Sequence, residues 1–447
     1  MSPAEDAPAP RPWGRALAWL ALLAPLFFVS YGWANVLASR HASVPGIVYD
    51  WEHAIPFWAW TIVPYWSIDL LYAASLFIGR DRQELDRHAL RLLTAQVIAV
   101  ACFVAWPLTF TFVRPETHGV FGWMFDVLLG FDKPFNQAPS LHIVLLVLLW
   151  LRFGAHLRGA WRWVLHAWSA LIAVSVLTTY QHHFIDIPTG VLAGLLCAWL
   201  WPMRVAPPWR GARRARDPVR CQLALAYALG GVVLVSVAFA LQGVALWLLW
   251  PATSVFLVAL HYAVLGAGGF QKDAGGRLST ASLWLHAPYF AAAWINSRWW
   301  TRRAPQPVHV ADGVWLGRMP TAREVGGVAT VIDCCAELQA PANVHVIAHP
   351  MLDLVAPDAG VLRTVAHSIE AARGRGDVLV CCALGYSRSA SAVAAWLLGT
   401  RRAVSVDAAV LQIQAVRPSV VLRARHREAL AEMTRTSLLN TTGLPTL

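Results

Sequence analysis

The sequence predicts a multidomain protein: an all-α polytopic transmembrane bundle followed by a soluble α/β domain. Three observations carry this. Hydrophobic residues make up 57% of the chain and charged ones only 14%, a balance typical of membrane proteins. Arginine-rich loops alternate with loops poor in Lys and Arg. The C-terminal third changes to short β-branched runs separated by amphipathic stretches. At 447 residues the chain is also too long for one ordinary domain.

A membrane-spanning helix needs about 20 mostly apolar residues. Uncharged stretches of that kind run Ala16–Ser39, Leu92–Phe112, Leu223–Gln242 and Gly243–His261. Weaker or interrupted ones run Ala54–Ile78, Phe135–Leu151, Trp163–Tyr180 and Ile187–Met203, giving eight candidate spans. Ala16–Ser39 lacks a short apolar core with a clear cleavage site and reads as a retained span. The 24 Trp fit aromatic belts at membrane interfaces. Arg80, Arg82, Arg87 and Arg91 follow the second stretch, Arg152, Arg158 and Arg162 the fourth, and Arg204, Arg210, Arg213, Arg214, Arg216 and Arg220 the sixth. Alternate loops hold mainly Arg40, Arg114 and Lys133. Positive loops stay cytoplasmic, which puts the N-terminus inside. The formal charge of +11 is then topology, and nucleic acid is not an expected partner.

Eight spans return the chain to the cytoplasm near Leu265. Ser279–Trp300 is apolar, contains Pro288 and carries Trp284, Trp294, Trp299 and Trp300. It reads as an interfacial helix on the inner leaflet, because a ninth span would export the C-terminal domain. The expected organisation is a cytoplasmic tail over 1–14, a transmembrane domain over 15–206, and two further spans, an interfacial helix and a linker over 207–304. A cytoplasmic α/β domain over 305–447 completes it. The expected setting is a bacterial-type inner (plasma) membrane.

In the C-terminal domain, Ala329–Asp333, Val344–Ile347 and Asp377–Cys381 read as strands. Val361, Leu362, Val365 and Ile369 share a helical face, and Ser405 caps a helix over Val406–Val416. Immediately after the last strand comes Cys382-Ala383-Leu384-Gly385-Tyr386-Ser387-Arg388-Ser389. A strand-to-helix turn aims successive backbone N–H groups at an anion. Those groups and the helix dipole favour a thiolate at Cys382. Residues Ala383 to Ser387 would cradle a phosphate, Arg388 offers a planar fork for two phosphoryl oxygens, and Ser389 can donate to the departing sulfur. This points to hydrolysis of phosphate monoesters through a phosphocysteine.

Val380–Ser391 resembles the dual-specificity branch of the cysteine-dependent protein tyrosine phosphatases, and the resemblance runs from about Val308 to about Ala431. It takes in the entry strand His309–Gly317. One departure is Cys381, where the family usually has His. The resemblance places a general acid on a loop roughly thirty residues before the cysteine. Asp353 fits, with Asp358 in reserve; the bland reading of Asp353 is a loop carboxylate or a cap. The resemblance implies a phosphoprotein substrate (phosphotyrosine, phosphoserine or phosphothreonine). A phosphorylated lipid headgroup is the alternative partner, and the absence of Lys and Arg from 383–387 argues against polyphosphorylated inositides.

A second constellation gathers at span ends on the non-cytoplasmic side: Arg114-Pro115, Pro139-Ser140-Leu141-His142 and His182-His183-Phe184-Ile185-Asp186. A nucleophilic histidine needs a carboxylate to fix its tautomer, a second histidine can protonate the leaving oxygen, and an arginine can clamp phosphate. From about Ala54 to Met203 the chain resembles the type-2 phosphatidic acid phosphatase superfamily, in particular its sphingomyelin-synthase and inositol-phosphorylceramide-synthase branch. That resemblance implies His182 as nucleophile, Asp186 as its orienter, His142 as general acid and Arg114 on the phosphate. Pro107 and Val176 depart from the wider superfamily pattern and favour the synthase-like branch.

Asp69, within the second stretch, reads either as functional or as an interfacial or helix-paired carboxylate. Gly190 and Gly194 are spaced for close helix packing. The seven Cys show no zinc-type spacing, and neither site calls for a metal or cofactor. A thiolate enzyme needs a reducing compartment, and Cys381 could link to Cys382 under oxidation. Two other classes stay open: an inert or lipid-binding membrane anchor carrying the only enzyme, and a phosphate-recognising module without turnover.

Overall fold

The computed structural model describes residues 11–130 and 132–441, so most of the expected 1–14 tail lies outside the described residues. The chain divides into two compact units, 1–204 and 205–447.

The first unit is all helical: α1 (Trp13–Ala38), α2 (Ile62–Phe77), α3 (Arg82–Ala105), α4 (Gly119–Leu129), α5 (Leu141–Gly154), α6 (Ala160–Thr178) and α7 (Asp186–Leu200). Asp81 caps α3 by accepting from the Glu84 N–H at 2.8 Å. This start lies ten residues before the expected Leu92, because the charged first turns are helical too. The helix stops at Ala105, ahead of Trp106-Pro107, since a residue before proline is driven out of the helical region. Gly190 and Gly194 bring α7 against α5: an added Cβ would lie 2.8 Å from the Ile143 Cβ and 2.9 Å from the Val147 Cβ.

Among the described residues, five helices are long and apolar enough to cross a membrane: 13–38, 82–105, 160–178, 218–241 and 243–265. The other three expected spans form α2, α5 and α7, of 16, 14 and 15 residues. At about 1.5 Å per residue these fall short of a hydrocarbon core of about 30 Å. The missing length is in loops that build the second constellation.

The second unit opens with α8 (Pro218–Leu241) and α9 (Leu249–Leu260), then α10 (Thr280–Leu285) and α11 (Ala287–Trp300). The expected single interfacial helix is thus two helices. Pro288 falls in the first turn of α11, where its missing N–H costs nothing. One face of α11 packs on the α/β domain: Arg298 donates to the Met319 carbonyl at 3.0 Å.

The domain's strands are β1 (Val308–Ala311), β2 (Val314–Arg318), β3 (Thr330–Cys335), β4 (His345–Met351) and β5 (Val378–Cys382). Sheet order is β1-β2-β5-β3-β4, parallel except for the β1–β2 hairpin. Asp312 and Gly313 turn that hairpin with φ of 42° and 77°, the left-handed pair an Asp-Gly turn supplies. Helices α12 (Ala359–Arg373), α13 (Arg388–Gly399), α14 (Val406–Val416) and α15 (Ala424–Thr441) complete the unit. Ser405 caps α14 through the Ala408 N–H at 3.1 Å.

Central β5 is buried along its whole length, as parallel strands are. Val378, Val380 and Cys382 point into one core with Ile369, Trp396 and Leu430, while Leu379 and Cys381 point into another with Val331 and Cys335. Adjacent strand residues face opposite ways, so a Cys381–Cys382 link has no support. Cys334 of β3 shares the Cys382 face.

The loop over 271–277 packs on the α/β domain. Lys272 reaches the Asp333 carboxylate at 2.8 Å, with both side chains 0% exposed, and also donates to the carbonyls of Cys335 and Leu338. Three acceptors around one amine is the geometry of an ammonium ion. Burial disfavours that charge, yet Asp333 and Cys335 hold the ammonium above its ordinary pKa.

Candidate active site

Cys382 ends β5, and α13 begins six residues on at Arg388, so the loop between them lies at the carboxyl edge of a parallel sheet, where such sheets carry ligand sites. The loop closes tightly over Gly385. Its φ is +76°, and a Cβ there would lie 2.5 Å from the Gly317 backbone. That conformation aims the Gly385 N–H at the Cys382 sulfur, 3.2 Å away. Ser389 Oγ donates to the same sulfur at 3.2 Å. Two donors and the N-terminal end of α13 thus converge on a sulfur that is 2% exposed.

The loop is fixed from outside. Ser297 of α11 donates to the Ala383 carbonyl. Arg417 donates to the Leu384 carbonyl at 3.2 Å and lies over the Tyr386 ring. Val421 N–H donates to the Tyr386 carbonyl at 3.0 Å, and Ser387 bonds His426 at 2.9 Å.

Arg388 is 1% exposed. Its two terminal nitrogens fork onto Glu337 at 2.7 and 2.6 Å, Nη1 also donates to the Met351 carbonyl at 3.0 Å, and Nη2 lies 2.9 Å from Asp353. Nε has no protein partner. Glu337, which the motif reading missed, is the carboxylate that Arg388 forks onto. Its signal was a carboxylate two residues beyond β3, the strand beside β5; a Glu at 3% exposure is almost never found unpaired.

The two carboxylates on Arg388 are pushed opposite ways. Burial raises Glu337, but the facing guanidinium outweighs it and holds the group below its ordinary range. Asp353 is 27% exposed. Burial raises it, Arg388 opposes, Glu337 adds to the rise, and it ends above the usual carboxylate range. A carboxyl biased toward its protonated form beside the phosphate site is what a general acid requires. Asp358 is exposed at the N-cap of α12, so the structure brings Asp353, and not the reserve candidate, onto Arg388. Cys381 is buried on the other sheet face, where burial pushes its thiol well up.

In the helical unit, His182 Nδ1 meets Asp186 Oδ2 at 3.1 Å. A cavity of about 530 Å³ is lined by His182, Arg114 and Asp132. A smaller one of about 60 Å³ is lined by His182, His142, Asp132 and Asp69. His142 stacks on Tyr65, with ring centroids 3.9 Å apart, and its Nε2 bonds the Tyr65 carbonyl at 2.9 Å. Two carboxylates here were not anticipated. Asp132 accepts from the Tyr31 hydroxyl at 2.8 Å. Glu52 accepts from the Phe184 N–H at 2.9 Å and faces His183 at 3.1 Å, which fixes the loop carrying His182.

Comparison with family models matches residues 314–436 to "Dual specificity phosphatase, catalytic domain". No curated protein matches the chain. Among solved structures, Tk-PTP in its active form is 26% identical, the likeness covering 30% of this chain and 98% of that one with a TM-score of 0.28. Human DUSP28 is 24% identical over 30% and 99%, with a TM-score of 0.27. PTPMT1 is 22% identical over 31% and 99%, with a TM-score of 0.28. Residues 314–436 are therefore a cysteine-dependent dual specificity phosphatase catalytic domain, which follows an all-helical N-terminal region with candidate membrane spans.

Proposed function

We propose that the protein is a membrane-bound phosphatase that hydrolyses phosphate monoesters through a phosphocysteine at Cys382. The observation that carries this is the convergence of the Gly385 N–H, Ser389 and α13 on one buried sulfur, with Arg388 at the head of that helix. The thiolate attacks phosphorus, forming S–P as the P–O bond to the alcohol breaks. Asp353 gives its proton to the departing oxygen. Arg388 and the loop N–H groups hold the equatorial oxygens as charge develops. Water, deprotonated by Asp353, then attacks phosphorus; S–P breaks and inorganic phosphate leaves. A phosphoprotein side chain and a phosphorylated lipid both present the required group. The test is p-nitrophenyl phosphate turnover by the full-length protein beside Cys382→Ser, without added metal. Loss of turnover in the variant supports the reading, and equal turnover refutes it.

A second reading concerns the helical unit. The His182–Asp186 pair opening on a cavity with Arg114 supports phosphoryl transfer through a phosphohistidine, as the resemblance to lipid phosphatases and synthases implies. Asp186 would orient His182, and Arg114 would hold the phosphate. His142 would serve as the acid only after releasing the Tyr65 carbonyl. Unchanged lipid phosphotransfer in His182→Ala would leave this unit as an anchor.

A further inference from the structure

We infer that the phosphate monoester handled at Cys382 is the headgroup of a membrane lipid whose apolar chains lie against α8, α9 and α11. The inference rests on the phosphocysteine reading above. A cavity of about 420 Å³ has Asp353, Glu337 and Ala383 on one side and Tyr227 of α8, Val255 of α9 and Ala292 of α11 on the other. Asp353, Glu337 and Ala383, which flank Cys382 and Arg388, thus share one space with two of the most apolar helices of the chain.

Tyr227 stands nine residues beyond the first residue of α8, about 14 Å along its axis. On the side of α8 away from Tyr227, Leu225, Leu229 and Val233 are 60%, 56% and 60% exposed, an outer face suited to hydrocarbon and not to water. The approach to α8 carries exposed Arg213, Arg214 and Arg216, and α11 carries exposed Trp294 and Trp299, with Arg302 over the Trp299 ring at 4.0 Å. Arginines and amphipathic rings at one end of an apolar helix mark a headgroup level. The cavity beside Tyr227 lies about 14 Å along α8 from the end that carries the arginines, a distance that a lipid lying along the helix spans.

The cavity also limits the headgroup. Its lining includes two carboxylates, Glu337 and Asp353, and no Lys or Arg. The guanidinium that neutralises them serves the reacting phosphate. A second phosphate on the headgroup would face those carboxylates uncompensated. The class is therefore a lipid with one phosphomonoester on a small, otherwise uncharged headgroup.

The test uses the full-length protein carrying His182→Ala, so that the other candidate site does not contribute, with Cys382→Ser as control. It is given phosphatidylcholine vesicles doped in turn with phosphatidic acid, phosphatidylglycerol phosphate or a phosphatidylinositol monophosphate. A soluble phosphotyrosyl peptide and p-nitrophenyl phosphate run beside them. The expected result is Cys382-dependent release from phosphatidic acid, whose only phosphate is the monoester, with kcat/KM about tenfold or more above the peptide, and slower release from the other two lipids, which also carry a charged phosphodiester. Dioleoyl forms should exceed dihexanoyl forms, and Val255→Asp should lower the lipid-to-p-nitrophenyl-phosphate ratio about tenfold. The chain-length comparison uses the unmodified wall and holds if that variant fails to fold. Turnover of p-nitrophenyl phosphate with the peptide preferred over all three lipids overturns the lipid assignment and leaves the cysteine reading intact. No Cys382-dependent turnover of anything overturns both.

Discussion

Replacing Lys272 with Met should unseat the phosphatase domain without touching its active site. The ammonium is 2.8 Å from Asp333, and both side chains are 0% exposed. Removing one partner of a buried ion pair costs about 3–5 kcal/mol, because the other charge stays buried. The carbonyls of Cys335 and Leu338 lose a donor as well, which brings the expected cost to at least about 4 kcal/mol. In a unit of this size that is a fall of about 8–16 °C in midpoint. Asp333→Asn in the same background should recover about 2 kcal/mol or more. The pH dependence has a fixed sign. Burial holds the Asp333 carboxyl above its ordinary value even with Lys272 present, and more so without it. A carboxyl raised in the folded state loses stability as pH rises through its folded value, so the Met variant should be closest to wild type in acid and fall behind toward neutrality. The assay is a thermal melt of detergent-solubilised full-length protein read by a thiol-reactive dye, since Cys334, Cys335, Cys381 and Cys382 are buried. An unchanged midpoint for Lys272→Met, or no recovery in the double variant, refutes the reasoning. The same defect is built into any fragment that begins at residue 305, which should melt below one that begins at 267.

Asp353→Asn should lower kcat by about 10²–10⁴ for alkyl phosphates and far less for p-nitrophenyl phosphate, whose leaving group departs unprotonated. Wild-type kcat for alkyl phosphates should fall as pH rises through the elevated Asp353 value, and the Asn variant should lack that limb; a limb that persists assigns the acid elsewhere. Glu337→Gln should cost about 3 kcal/mol by breaking the fork onto Arg388. Because Glu337 is held below its ordinary range, its contribution is present above the unfolded value and lost in acid, so thermal melts should converge with wild type below about pH 4. Gly385→Ala should cost at least about 1–2 kcal/mol for the left-handed backbone, and it should cut turnover through the displaced N–H; wild-type kinetics would show that the loop tolerates a Cβ. Peroxide should join Cys382 to Cys334, which shares its core face, and peptide mapping that finds a Cys381–Cys382 bond would overturn that geometry.

The phosphate loop was legible because its chemistry is local. Cys382, Gly385, Arg388 and Ser389 lie within one turn of chain, and the β-branched run before them and the Ser405 cap behave as their composition requires. Asp353 was pointed to by family spacing, and it lies on Arg388. What escaped was held by tertiary contact. Glu337 carries no sequence mark beyond a carboxylate after a strand, and only the β3–β5 pairing brings it to Arg388. Lys272 went unremarked because nothing local announces a buried partner 61 residues away. The short helices α2, α5 and α7 were read as spans since hydropathy cannot see Pro139 and the polar segments around 182–186 cutting the apolar runs. Glu52 lies in a single 3₁₀ turn over Asp50–Ala54 and Asp132 in a loop, both too short for a periodicity to point to a face.

The glycine contact between α5 and α7 has a mechanical consequence. Gly190 and Gly194 let the two helices meet nearly backbone to backbone, and the Ser140 N–H also bonds the Asp186 carbonyl at 3.2 Å. His142 begins one helix and Asp186 the other, so the seam acts as a calliper: the distance between the candidate acid and the carboxylate behind His182 is set by the thickness of two polypeptide backbones. Motion that admits or expels a ligand must then come from the walls that the seam does not include, the segment around Arg114 and the loop bearing Asp132. A single added methyl at Gly190 would widen the jaw without altering His142, His182 or Asp186 themselves.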